Sequence, residues 1–133
     1  MKFDHIGIFC KNLEFGRKKL IEIFPILNLS KEFHDPLLKV SVQFLYDVNN
    51  FCYELVAPNG QGNPVDSILK NKKNILNHIA YKVHDFDLTI EKYRNFGCLQ
   101  LTLPQPAIAF NGARVIFFLT PVDIIVELIE IIQ

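Results

Sequence analysis

The sequence predicts an α+β fold in which one small unit is written twice. Two observations carry that expectation. Short apolar stretches of strand length dominate the chain and only two segments have a strong helical pattern. A set of polar residues then recurs at a fixed offset of 73 positions. With 133 residues, 50% of them hydrophobic and 12% aromatic, the chain has the material for a packed interior and the length of one domain.

The elements follow in order. Residues 3–10, FDHIGIFC, are apolar, free of Pro and too short for a helix, so they predict a largely buried strand. Asn12 is an N-cap for a helix that sets Leu13, Leu20, Ile21 and Phe24 on one side and turns Arg17, Lys18 and Lys19 toward water. Pro25 and Asn28 close it. Residues 29–35 predict a weak strand, 39–48 a strong one, Asn49 and Asn50 a tight turn, and 51–57 the returning strand. The stretch PNGQGNPVDSILKNKKN breaks the apolar rhythm and reads as a linker holding one short helix over residues 65–70. The order then repeats as strand 77–83, helix 86–96 ending at Gly97, weak strand 98–103, strand 113–120, a turn over 121–123 and strand 124–131. The expected organisation is one domain over 1–133, with module one at 1–58, the linker at 59–75 and module two at 76–133. Each module is a strand, a helix and three further strands.

The offset tests the repeat. His5 and His78 are 73 residues apart, as are Glu54 and Glu127, Asn12 and Asp85, Val42 and Val115, and Phe44 and Phe117. In each half the histidine lies on the first strand and the glutamate on the last. The glutamates stand in strands too apolar to be solvated, where a carboxylate needs a cation, a hydrogen bond or a proton. Two related halves that bring together two imidazoles and two carboxylates make a set suited to a divalent ion with open positions for substrate. Gly7 and Ala80, two residues past each histidine, share its strand face and leave room beside it.

Composition narrows the partners. Lys plus Arg and Asp plus Glu number 14 each, so the formal charge is zero and no basic block offers attraction to a nucleic-acid backbone. No apolar run reaches the length of a membrane span, and none of signal-peptide length precedes Asp4 and His5, so neither membrane association nor export is expected. Cys10, Cys52 and Cys98 are an odd number without CxxC spacing, which fits reduced thiols in the cytoplasm. None has the basic neighbour or helix start that would make it a nucleophile. His34 and His84 lie in turn-like contexts and read as surface residues, and KNKKN reads as a solvated loop.

The segments DHIGI, YELVAPNGQGNPVDSIL, NHIAYKVHD, GARVIFFLTP and IIVELIE together resemble the vicinal oxygen chelate superfamily. That superfamily includes glyoxalase I, methylmalonyl-CoA epimerase, extradiol dioxygenases and the bleomycin resistance proteins. The resemblance implies paired βαβββ modules forming an open, cup-shaped sheet around a metal site, and a homodimer. It assigns the metal ligands to His5, Glu54, His78 and Glu127, and the cofactor to a divalent ion such as Co, Ni, Zn, Mn or Mg. Glu127 is the implied catalytic carboxylate, in an epimerase, isomerase or lyase that stabilises an enolate or enediolate of a small oxo-acid or acyl thioester. The stretch LPQPAIAFNGARVIFF is the expected substrate wall, with Gln105, Asn111 and Arg114 as its polar candidates; Arg114 reads equally as a strand-edge residue. Two departures stand out. The epimerases carry an extra glutamate near the point occupied here by Leu37, and bacterial glyoxalase I has a glutathione-holding arginine where this chain has Phe9. A non-catalytic small-molecule binding protein on the same fold is the alternative.

Overall fold

A computed structural model describes residues 1–132; Gln133, the last residue of the second module, lies outside the described residues. The first strand, β1 (Lys2–Phe9), leads into α1 (Leu13–Ile23), whose start is fixed by Asn12: its backbone is extended and its Oδ1 accepts the Phe15 N–H at 2.7 Å. The helix buries Leu13, Gly16 and Leu20. Ile21, expected on the buried side, is 46% exposed, and Arg17 is drawn in toward the sheet instead. The helix stops at Ile23 because Phe24, ahead of Pro25, is held extended.

The weak strand expected over 29–35 is two strands, β2 (Ile26–Leu29) and β3 (Phe33–Asp35), both antiparallel to β4 (Val40–Asp47). Ser30 separates them. Its hydroxyl accepts the Phe44 N–H and its carbonyl accepts the Gln43 side chain, so side-chain bonds take over part of the ladder, while its own N–H still donates to the Phe44 carbonyl. Then come β5 (Cys52–Pro58) and α2 (Val65–Asn71), the short helix expected in the linker, anchored by the fully buried Val65. The second series is β6 (Leu76–Val83), α3 (Phe86–Asn95), β7 (Leu99–Gln100), β8 (Gln105–Pro106), a one-turn 3-10 helix (Ile108–Phe110), β9 (Arg114–Leu119) and β10 (Ile125–Glu130). The weak strand expected over 98–103 therefore shrinks to two residues. Pro104 follows it, and the Thr102 hydroxyl, not the ladder, receives the Phe117 N–H. The strand β8 and the 3-10 turn carry no periodic signal that would announce them.

The strands follow the order β2, β4, β5, β1 in the first series, with β3 also beside β4, and β6, β10, β9, β7 in the second, with β8 beside β9. Together with the three helices this is the mixed α+β fold expected. Two compact units divide the chain, one of His5–Asn77 and the other of Met1–Asp4 with His78 onward. In the first, α1 packs Leu13 and Leu20 against Leu45, Leu55 and Ala57. In the second, α3 packs Phe86 and Ile90 against Ile116, Phe118 and Leu128. Burial of each large side chain in these layers contributes about 1.5–3 kcal/mol. Each helix thereby covers one face of its strands and leaves the other face for the residues described next.

Candidate metal centre

In the first unit β1 and β5 run parallel and side by side, with Gly7 opposite Glu54. Alternation puts Gly7 on the face of His5, so the glutamate lies across a residue without a side chain and reaches back to the imidazole. The His5 Nε2 to Glu54 Oε1 distance is 3.4 Å, and the residues are 0% and 5% exposed. In the second unit β6 and β10 repeat the arrangement, with Ala80 opposite Glu127. Here the His78 Nε2 to Glu127 Oε1 distance is 3.3 Å, and the residues are 4% exposed each. An aromatic edge backs each imidazole: Phe44 against His5 and Phe117 against His78. Each phenylalanine is the register partner of its unit's glutamate across an antiparallel pair.

The donors fit a metal. A charge-assisted N–H to carboxylate bond brings its atoms to about 2.7–2.9 Å. The observed separations are longer. Two ligands each about 2.1 Å from one tetrahedral ion stand about 3.4 Å apart, which is the separation found in both pairs. Two buried imidazoles and two buried carboxylates, each offering one ligand atom, are a group that could hold a metal ion.

The substrate-wall candidates separate. Gln105 is paired with Val115 on β9, which shares a face with Phe117, so Gln105 lies on the Glu127 face of the second unit. Arg114 alternates to the opposite face. There its guanidinium bonds Glu130 at 2.6 Å and Asp87 at 3.2 Å and lies over the Phe86 ring. Those bonds, Glu130 first, raise its pKa further, and the Arg114 bond holds the Glu130 carboxyl below its usual range. Asn111 is an exposed turn residue with φ 54° that ends the 3-10 helix. Of the three, only Gln105 is brought to the face of Glu127.

Around Leu37 no carboxylate is left idle. Leu37 itself is exposed, Asp35 accepts the N–H groups of Leu37 and Leu38, and Glu32 accepts from Arg17. Sequence reading missed Arg17 and Gln43. Gln43 is 5% exposed; its Oε1 accepts from Arg17 at 2.8 Å and its Nε2 donates to the Ser30 carbonyl at 2.8 Å. The signal was present, since Arg17 stands four residues after Leu13 and three before Leu20, on the stripe that helical spacing turns inward. Among the described residues no helix is long and apolar enough to cross a membrane.

Comparison with known proteins agrees with this architecture. A family model described as the Glyoxalase/Bleomycin resistance protein/Dioxygenase superfamily matches residues 4–117. Among solved structures, a hypothetical protein from Bacillus halodurans C-125 superposes with a TM-score of 0.79 at 21% identity, covering 99% of this chain and 95% of its own. A variant methylmalonyl-CoA epimerase of Streptomyces coelicolor, in complex with 2-nitronate-propionyl-CoA, gives 0.76 at 21% identity, with 100% and 99% covered. The methylmalonyl-CoA epimerase of Mycobacterium tuberculosis gives 0.77 at 18% identity, with 99% and 89% covered. No curated protein matches the chain significantly.

Proposed function

Because the chain belongs to the glyoxalase, bleomycin resistance protein and dioxygenase superfamily, we propose that it is a metal-dependent epimerase, isomerase or lyase acting on a small oxo-acid or acyl thioester. In this reading His5, Glu54, His78 and Glu127 are the ligands of one divalent cation, with Co, Ni, Zn, Mn and Mg as the ions to test. The observation that carries the reading is the buried imidazole and carboxylate pair, made twice with the same spacing. A chain with no use for a cation has little reason to bury two glutamates beside two histidines, since each buried carboxylate is costly without a compensating charge. Similarity to methylmalonyl-CoA epimerases supports the direction of the proposal.

Bound there, the cation supplies Lewis-acid stabilisation of the oxyanion that develops when a proton leaves the carbon beside a carbonyl. The chain's own residues do the rest. Glu127 accepts that proton and returns it, a role open to an ionised carboxylate within reach of the substrate carbon. Gln105 binds a polar group of the substrate from the same face of the second unit, using an amide that both donates and accepts. Phe44 and Phe117 keep the imidazoles oriented and exclude water from their backs. With Leu37 at the point where the epimerases carry a further glutamate, proton transfer rests on Glu127 alone.

The test is elemental analysis of protein purified without chelator or affinity metal, beside a His5→Ala, Glu127→Ala double variant. Solvent deuterium exchange into methylmalonyl-CoA and 2-oxo acids is followed by NMR in parallel. Near-stoichiometric metal in the wild type, lost in the variant, with metal-dependent exchange into at least one substrate, is the expected result. Wild-type protein that takes up none of the five ions on soaking would overturn the reading.

A further inference from the structure

The face of the first unit opposite His5 and Glu54 carries a cleft of about 410 Å³, lined by Leu13, Glu14, Arg17, Ser41 and Ala57 among others. That volume is in the range of small-molecule sites. The offset of 73 residues gives each lining residue a counterpart in the second unit: Phe86, Asp87, Ile90, Arg114 and Glu130. The counterparts fill the equivalent space. Arg114 and Glu130 each lie one residue beyond the Val115–Ile129 pair of their ladder, where the first unit pairs Ser41 with Ala57, and the Arg114 guanidinium spans from Glu130 to Asp87 over the Phe86 ring. In the first unit Ser41 and Ala57 leave that room open, and Glu14 occupies the place of Asp87 without an arginine to answer it.

A charge of the other sign lies deeper in the cleft. Arg17 is held from below by the buried Gln43 and bonded by Glu32 at 3.2 Å, both through Nη1, which leaves the Nε and Nη2 edge for a ligand. His34 Nδ1 lies 2.8 Å from the Ser41 hydroxyl and His34 Nε2 3.7 Å from Glu32. With the Nε2 proton turned to Glu32, Ser41 donates to Nδ1 and its oxygen is an acceptor toward the cleft. Ser41 and Gln43 are two residues apart on one face of β4, about 7 Å. Gln43 holds Arg17 at 2.8 Å, so a small molecule with a carboxylate and a cationic group one carbon apart finds partners for both charges carried by neighbouring positions of one strand face.

We infer that this cleft is a second ligand site, for a small zwitterion of the amino-acid class, with the carboxylate on Arg17 and the cationic group between Ser41 and Glu14. The site is independent of the metal reading, because it uses the other face of the sheet and none of the metal-ligand candidates. The ligand supplies what Arg114 supplies in the second unit.

The experiment is an NMR titration of the full-length, 15N-labelled protein with each of the twenty free L-amino acids, and with acetate and methylammonium as the separated halves. At least one amino acid is expected to shift the Arg17 Nε resonance and the Ser41 and Glu14 amides saturably, at least about tenfold more tightly than either half. Arg17→Gln and Glu14→Gln should each weaken that binding about tenfold or more. A Ser41→Arg, Ala57→Glu variant should abolish it by installing the residues that fill the second unit, and it decides the matter if Arg17→Gln fails to fold. No saturable shift with any amino acid up to about 10 mM, a range that covers millimolar affinity, would overturn the proposal. So would binding that survives in the Ser41→Arg, Ala57→Glu variant.

Discussion

Under α1 the first unit buries Gln43 beneath Arg17, whereas under α3 the second unit has Ile116 and Ile90 at the same two positions of the repeat. The other faces of the same strands differ far less. Histidine, glutamate and phenylalanine recur with the same partners and with pair distances 0.1 Å apart by the values 3.4 and 3.3 Å. The outer strands differ more again: β2 and β3 run four and three residues, β7 and β8 two each. The repeat has thus been held to its spacing on the face that carries donors and released on the face that carries packing. That pattern is expected when one face answers to the same chemistry in both units and the other is free to differ between them.

The largest expected effect would break the symmetry of the donor face. Glu127→Gln, at saturating metal, should lower the rate of solvent deuterium exchange into substrate by about 10²–10⁴-fold, because it removes the proton-transfer group. Glu54→Gln, reloaded with metal in the same way, should stay within about tenfold of wild type, since its role in the proposal is to hold the ion. Equal losses in the two variants would show that the halves share the proton transfer.

A smaller effect sharpens the contrast between the packing faces. Arg17→Ile leaves the Gln43 carbonyl oxygen without its donor and should lower stability by about 1–3 kcal/mol in urea unfolding. Adding Gln43→Ile, which copies the second unit, should recover most of that loss, because replacing both members of a buried polar pair by apolar groups is often near neutral. A double variant no more stable than the single would mean that the first unit cannot accept the apolar solution of the second.

The smallest effect belongs to Glu130, for which the first unit has Ala57. Hydrogen bonding from Arg114 holds the folded-state pKa of Glu130 below its unfolded value. Its contribution is therefore complete above the unfolded carboxylate value, about 4.3, and is lost as the pH falls through the lower folded value. Arg114 is 39% exposed, so solvent screening keeps the contribution under about 1 kcal/mol. Glu130→Gln should lower stability by that amount at pH 7 and flatten the acid limb of the stability profile below about pH 4.3. A limb as steep as wild type would assign it to other carboxylates.

What was legible in the sequence follows the same division. β1, β4, β5, β6, β9 and β10 are apolar, regularly patterned and written twice, and their expected spans agree with the structure to within about two residues. Asn12 announced its helix, and Val65 announced α2. The short outer pieces were not legible, because Ser30 and Thr102 replace ladder bonds with side-chain bonds that no periodicity records. Arg17 was read as a solvated cation because its partners, Gln43 and Glu32, are 26 and 15 residues away along the chain. Arg114 could be read two ways until Asp87 and Glu130 were seen to claim it.

One consequence concerns the order in which the molecule is made. His5 and Glu54, like His78 and Glu127, stand on adjacent parallel strands, so every residue between them must be laid down before either pair exists. Contacts of such long sequence separation form late, after the loop between them has closed. A partly synthesised unit therefore displays its histidines without the glutamate that completes the donor pair. In the proposed four-ligand site, metal capture becomes a property of the finished chain, complete only once Glu127 has been added.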